Sequence, residues 1–137
     1  MTPPLLRLTC AVAVGGAVGA VLRHALGTLA PDGSGFPWTT FAINVSGAFL
    51  LALLPALGPV RRSRTLAVGL GSGVLGGYTT LSVTSEQGRS LLDQGHPALA
   101  AAYLLGTLAT ALVAVLVASH WSAPAQQQHF ADEEGDR

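Results

Sequence analysis

The chain has 137 residues, half of them hydrophobic and only 10% charged, with a formal net charge of zero. Soluble domains carry about 25% charged residues, so this composition points to an integral membrane protein of one domain at most. Neutrality removes any argument for nucleic-acid binding, and a single cysteine, Cys10, excludes an internal disulfide and a paired-cysteine metal site.

The first apolar segment spans 5–29 and contains LTCAVAVGGAVGAVLRHALGTL. About 20 residues cross a bilayer core of ~30 Å. Arg7 followed by an apolar run resembles a signal peptide, but the run carries its own polar motif and no small-x-small cleavage site ends it. It reads as a permanent first span. Gly15, Gly16, Gly19 and Ala20 recur three and four apart, which gives the helix a smooth face for close backbone approach. Arg23 lies one turn further on. Either it snorkels to the interface or it faces a water-filled vestibule and attracts anions. His24 reads as an interfacial residue.

Residues 30–37, APDGSGFP, form a loop by composition. The second span is 38–57, opened by Trp38, a residue suited to the interface. Asn44 lies about two turns in, near Thr40, Ser46 and Gly47. A buried asparagine needs hydrogen-bond partners. Either it ties helices together, or its amide donors face a polar path.

After the short basic loop PVRRSR comes the third span, 65–92. Its stretch GLGSGVLGGYTTLSVTSEQ is full of glycine and hydroxyl residues, which a plain spanning helix does not need. Backbone at membrane depth leaves the helix only where protein or water satisfies its polar groups. A break is expected near Gly76-Gly77. The fourth span, 98–119, places Tyr103, Thr107 and Thr110 on one face; its threonines also have the option of bonding back to their own helix. Trp121 ends it at an interface, and residues 122–137 read as a disordered polar tail.

Four spans place both termini and the loop between spans 2 and 3 on one side. That side carries Arg7, Arg61, Arg62 and Arg64 near membrane ends, against Arg89 and at most Arg23 on the other. The positive-inside rule then puts both termini in the cytoplasm.

Three motifs in order resemble those of the small bacterial fluoride channels called Fluc or CrcB. They are GGAVGAVLRH in span 1, TTFAINVSGAFLL in span 2 and GVLGGYTTLSVTSEQ in span 3. The resemblance covers nearly all of residues 5–120. It implies an all-α membrane protein of four transmembrane helices, paired as an antiparallel, dual-topology dimer in the bacterial inner (plasma) membrane. It implies passive export of cytoplasmic fluoride, lowering its toxicity, with no reaction catalysed. It also implies a structural Na⁺ at the dimer interface, held by the backbone carbonyls of Gly76 and Thr79. The motif asparagine falls on Asn44, the vestibule arginine on Arg23 and the motif serine on Ser82. The tyrosine and first hydroxyl of span 4 fall on Tyr103 and Thr107, and Thr80 joins them on the anion path. Two phenylalanines that line the path in the family are replaced here by Leu81 and Thr84. The acid that closes the motif sits one place early, at Glu86, with Gln87 at the usual position. Together with the arginine bias, these departures favour one half of a heterodimer over a homodimer.

Two other readings compete. A small proton-coupled multidrug exporter needs an intramembrane carboxylate, usually in span 1, and span 1 has none. A non-conducting subunit that only supports assembly is compatible with Leu81 and Thr84. No Ser-His-Asp set, carboxylate pair or metal-ligand cluster points to an enzyme.

Overall fold

The structure is a computed structural model that describes residues 3–135, with side chains described for 4–122. Helix α1 runs Pro3–Leu29 and α2 Trp38–Leu53, followed by a 3₁₀ turn at Leu54–Ala56. Two short helices, α3 (Gly58–Arg62) and α4 (Arg64–Val68), lead into a π-helical segment, Gly69–Leu75, and then α5, Gly76–Tyr78. Helix α6 is Leu81–Asp93 and α7 is Pro97–Gly135. Four stretches are long and apolar enough to cross a membrane: Pro4–Leu29, Trp38–Ala56, Arg64–Asp93 and Pro97–Ser122. In each, only 11% to 17% of the most apolar window is buried within the chain. The apolar surface therefore faces outward, as a lipid-facing bundle requires and a soluble core does not.

The small face expected on α1 is present and is used. Cβ atoms on Gly15 or Gly19 would collide with the backbone of Gly69, Val74 and Tyr78, and one on Gly77 would collide with the Gly16 carbonyl. Without a driving force from water, spans associate by such close packing. Helix α1 thus lies backbone against backbone along the π segment and α5. Helices α2 and α6 pack on α7 instead. There Leu91, Ala100 and the fully buried Tyr103 form a core with Phe36, Phe41 and Leu99.

The third span is broken, two residues beyond the expected glycine pair. Gly76 and Gly77 remain helical; Thr79 (φ −77°, ψ 157°) and Thr80 (φ −150°, ψ 119°) are extended. Gly77 serves the contact with α1, and the hydroxyl residues that follow are able to serve the freed backbone. Thr80 restarts the helix as N-cap, its hydroxyl accepting from the Val83 amide at 3.2 Å. The span ends in a Schellman turn: Gly95, at φ +79°, donates to Leu92 O (3.0 Å) and His96 N to Leu91 O (2.9 Å). Helix α7 continues to Gly135, through the segment read from sequence as a disordered tail. Its alanines, glutamines and glutamates are good helix formers; the side chains beyond Ser122 lie outside those described.

Candidate functional site

Asn44, on α2, reaches the break in span 3. Its Oδ1 accepts from Thr80 N at 2.8 Å, and its Nδ2 donates to Thr80 O (3.0 Å) and to Thr84 Oγ1 (2.7 Å). The amide orientation follows from chemistry, since an N–H can face only an acceptor. Thr84 Oγ1 in turn donates to Thr80 O at 2.8 Å. Asn44 therefore satisfies both backbone groups of the extended residue Thr80, and both of its amide protons are taken. Of the two sequence readings, this arrangement is the tie between helices.

The same bonds decide which carbonyls the break leaves open. In a continuous helix the Thr80 amide would bond the Gly76 carbonyl; here it is diverted to Asn44. Gly77 O accepts instead from Arg23 Nε at 3.2 Å. Thr80 O has Asn44 and Thr84. Among the described residues nothing donates to the carbonyls of Gly76 or Thr79. Unpaired carbonyls at membrane depth are costly, and two hard oxygen donors close in sequence fit a hard cation. Thr79 spends its own hydroxyl on Leu75 O, at 3.0 Å.

Above the break is a cavity of about 400 Å³ lined by Arg23, His24, Thr28, Thr39, Thr40 and Thr80. A guanidinium carries five N–H donors. Nε is committed to Gly77 and, among the described residues, no acceptor takes the others, so Arg23 presents positive charge to this space. Below the break is a second cavity of about 530 Å³, bordered by Asn44, Thr80, Leu81, Thr84 and Thr107. Thr80 lines both. Asn44 and Thr84 flank it in the second cavity, whose other lining residues, Leu81, Leu104, Leu105 and Leu108 among them, are mostly apolar.

Asp32, to which the sequence reading gave no role, and Gln87 organise one wall. Asp32, in the loop before α2, caps that helix from outside, because the N-cap position is Pro37 and offers no side-chain acceptor. Its Oδ1 accepts from Thr39 N (2.7 Å), and its Oδ2 from Thr40 N (3.1 Å) and Thr40 Oγ1 (2.7 Å). Oδ2 also accepts from Gln87 Nε2 at 3.0 Å, and Gln87 Oε1 accepts from the Tyr103 hydroxyl at 2.7 Å. Burial pushes the Asp32 carboxyl up, but the hydrogen bonds from Thr40, Thr39 and Gln87 outweigh it and hold it below its ordinary value. The available signal was an acid in a Pro/Gly loop just ahead of a helix whose first residues, Trp38-Thr39-Thr40, offer no better cap.

A family model described as CrcB-like protein, Camphor Resistance (CrcB), matches residues 10–119. The chain belongs to the CrcB family. It is 44% identical over 122 residues to "Fluoride-specific ion channel FluC 1" of Mycobacterium tuberculosis (strain CDC 1551 / Oshkosh), covering 81% of this chain and 90% of that one. It is 40% identical over 108 residues to "Fluoride-specific ion channel FluC" of Agrobacterium fabrum, covering 76% and 86%. To the protein of that name from Geobacter sulfurreducens it is 44% identical over 107 residues, covering 75% and 86%.

The CrcB match contains every residue singled out above. The structure brings Asn44, Thr80, Thr84 and Thr107 to one cavity and Arg23 and Thr80 to the other. Tyr103 is fully buried behind the lower cavity, bonded to Gln87. Thr107 is buried too, and its hydroxyl bonds back to Tyr103 O at 2.6 Å. Ser82 lies on the exposed outer side of α6, away from both cavities. Leu81 is 80% exposed, whereas Thr84 is 4% exposed and part of the Asn44 cluster. The two positions where the CrcB resemblance leads one to expect aromatic rings thus have opposite fates.

Proposed function

We propose that the chain is a subunit of a passive fluoride channel, which lets cytoplasmic fluoride leave the cell and catalyses no reaction. The observation that carries this reading is the pair of cavities that share Thr80 in their linings, one presenting the Arg23 guanidinium and the other bordered by Asn44, Thr84 and Thr107. Fluoride is small and strongly hydrated, so it sheds water only where donors replace it. Arg23 supplies charge at the mouth, and the threonine hydroxyls supply rotatable donors along the way. The relatives' names support fluoride as the ion.

A structural Na⁺ fits the carbonyls of Gly76 and Thr79, which the Asn44 and Arg23 bonds leave unpartnered. Its charge would offset the cost of opening the helix. Two carbonyls make an incomplete shell, and a second four-span subunit in antiparallel orientation would supply the rest. Leu81, exposed beside the route, favours a partner that contributes what this subunit lacks, and the arginine bias favours a fixed topology. The reading places the chain in the bacterial plasma membrane with both termini in the cytoplasm.

Fluoride efflux from liposomes tests it directly. The chain, purified alone and together with any related short membrane protein encoded beside it, should release trapped fluoride at a rate far above empty vesicles. Background rates from both preparations would overturn the channel reading and favour a subunit that only assembles.

A further inference from the structure

We propose that the Thr80 hydroxyl is the donor that receives fluoride between the two cavities. The inference rests on the channel reading and narrows it to one proton.

Hydrogen-bond supply and demand single this group out. Seven threonine hydroxyls border the two cavities. A hydroxyl has one proton to give, and six of the seven give it to the protein. In the first cavity Thr28 donates to His24 O (2.9 Å), Thr39 to Ala30 O (2.5 Å) and Thr40 to Asp32 Oδ2 (2.7 Å). In the second, Thr79 donates to Leu75 O (3.0 Å), Thr84 to Thr80 O (2.8 Å) and Thr107 to Tyr103 O (2.6 Å). Both Asn44 amide protons are taken as well. Thr80 differs. Its Oγ1 accepts from Val83 N at 3.2 Å, and among the described residues nothing accepts from it. With the Val83 N–H directed into one lone pair, the Thr80 proton turns away from that amide. Each of the other six must give up a protein bond to meet an anion, and Thr80 gives up none.

Position points to the same group. Thr80 is the residue common to both linings. On one side stands the Arg23 guanidinium; on the other the wall is largely leucine. An anion leaving Arg23 for that apolar space gives up water, and there a hydrogen-bond donor is worth most, because the local dielectric is low. The residue is also held in place before an ion arrives: Asn44 bonds Thr80 N at 2.8 Å and Thr80 O at 3.0 Å.

The experiment is liposomal fluoride efflux as a function of fluoride concentration, for wild type, Thr80→Val, Thr80→Ser and Thr80→Asp, with assembly checked by size exclusion. Thr80→Val keeps the shape and loses the proton, so its half-saturating fluoride concentration should rise about tenfold or more, the scale of one hydrogen bond to a charged partner. Thr80→Ser restores the hydroxyl and should return to within about threefold of wild type on the same scale. Thr80→Asp still offers Val83 N an acceptor but has no proton and adds a negative charge, and its flux should fall by about tenfold or more. Half-saturation is the decisive reading: a lost helix cap lowers the number of intact channels, not the hold of each on its ion. Thr80→Val with wild-type half-saturation therefore overturns the proposal and leaves Thr80 a cap alone. So does Thr80→Ser shifted as far as Thr80→Val, or Thr80→Asp as fast as wild type. If Thr80→Val does not assemble, a fast Thr80→Ser beside a slow, assembled Thr80→Asp upholds it, and failure of Thr80→Asp to assemble as well overturns it. A silent wild type overturns the channel reading instead.

Discussion

Asn44 and Thr80, 36 residues apart, exchange both possible amide–backbone bonds: Thr80 N to Oδ1 at 2.8 Å and Nδ2 to Thr80 O at 3.0 Å. An asparagine side chain here stands in for a neighbouring strand. It supplies one donor and one acceptor to a residue that has left its helix. Replacing it by alanine leaves the half-buried Thr80 amide without this partner. An unmade buried bond costs about 1–3 kcal/mol, so Asn44→Ala should lower the melting temperature in detergent clearly. Asn44→Asp keeps the acceptor but sets a carboxylate against Thr80 O, on the route itself. Fluoride flux through Asn44→Asp should fall by about tenfold or more, as expected for a misplaced charge in low dielectric. An unchanged rate would show that the anion does not pass beside Asn44.

The glycines divide into two groups with opposite expected responses. Alanine at Gly15, Gly19 or Gly77 drives a methyl group into rigid backbone and should cost several kcal/mol or prevent folding. Alanine at Gly27 or Gly106 meets nothing within 4 Å and should leave stability unchanged or raise it by about 0.5–1 kcal/mol through helix propensity. Thermal melting of the five variants in one detergent checks this, and equal losses in both groups would contradict the packing.

Asp32 predicts a pH dependence of stability. Its folded-state value lies below the ordinary 3.8, so the unfolded chain binds this proton more tightly than the folded one. The stabilisation is fully present above the unfolded value and is lost as pH falls through the folded one. Wild type should melt higher than Asp32→Asn at neutral pH, and the gap should close as the medium is acidified below 3.8. A gap that persists in acid would show that the carboxylate charge contributes nothing to the cap.

Orientation is tested by a reporter fused after Arg137. From the arginine bias, the reporter should be found in the cytoplasm in essentially every molecule. An even split between the two sides would point back to a dual-topology homodimer.

What the sequence revealed and what it hid follow from the range of the interactions. The small face of α1 was legible because it repeats at helical spacing within one segment. Asn44 and Arg23 were legible because polar groups in an apolar run need partners. The break near Gly76-Gly77 was legible from the glycines and hydroxyls, and it falls at Thr79 and Thr80 because Gly77 is the surface that meets Gly16. The Asp32–Gln87–Tyr103 chain stayed hidden because its members come from three elements, with 55 and 16 residues between successive partners. Ser82 shows the converse: a motif position marks a residue, but which side of α6 it faces depends on packing that the motif does not state.

The contact between α1 and the first half of span 3 also has a mechanical meaning. Backbone pressed on backbone has no rotamers to adjust, so those two segments move as one stiff beam. The second half of the span is joined to that beam by the extended residues Thr79 and Thr80 and is held on its other side by α7 and by the bonds from Asn44. Strain applied to the bundle, whether from lipid or from a neighbouring subunit, is therefore taken up at Thr79 and Thr80. Thr80 is also the residue that both cavities share.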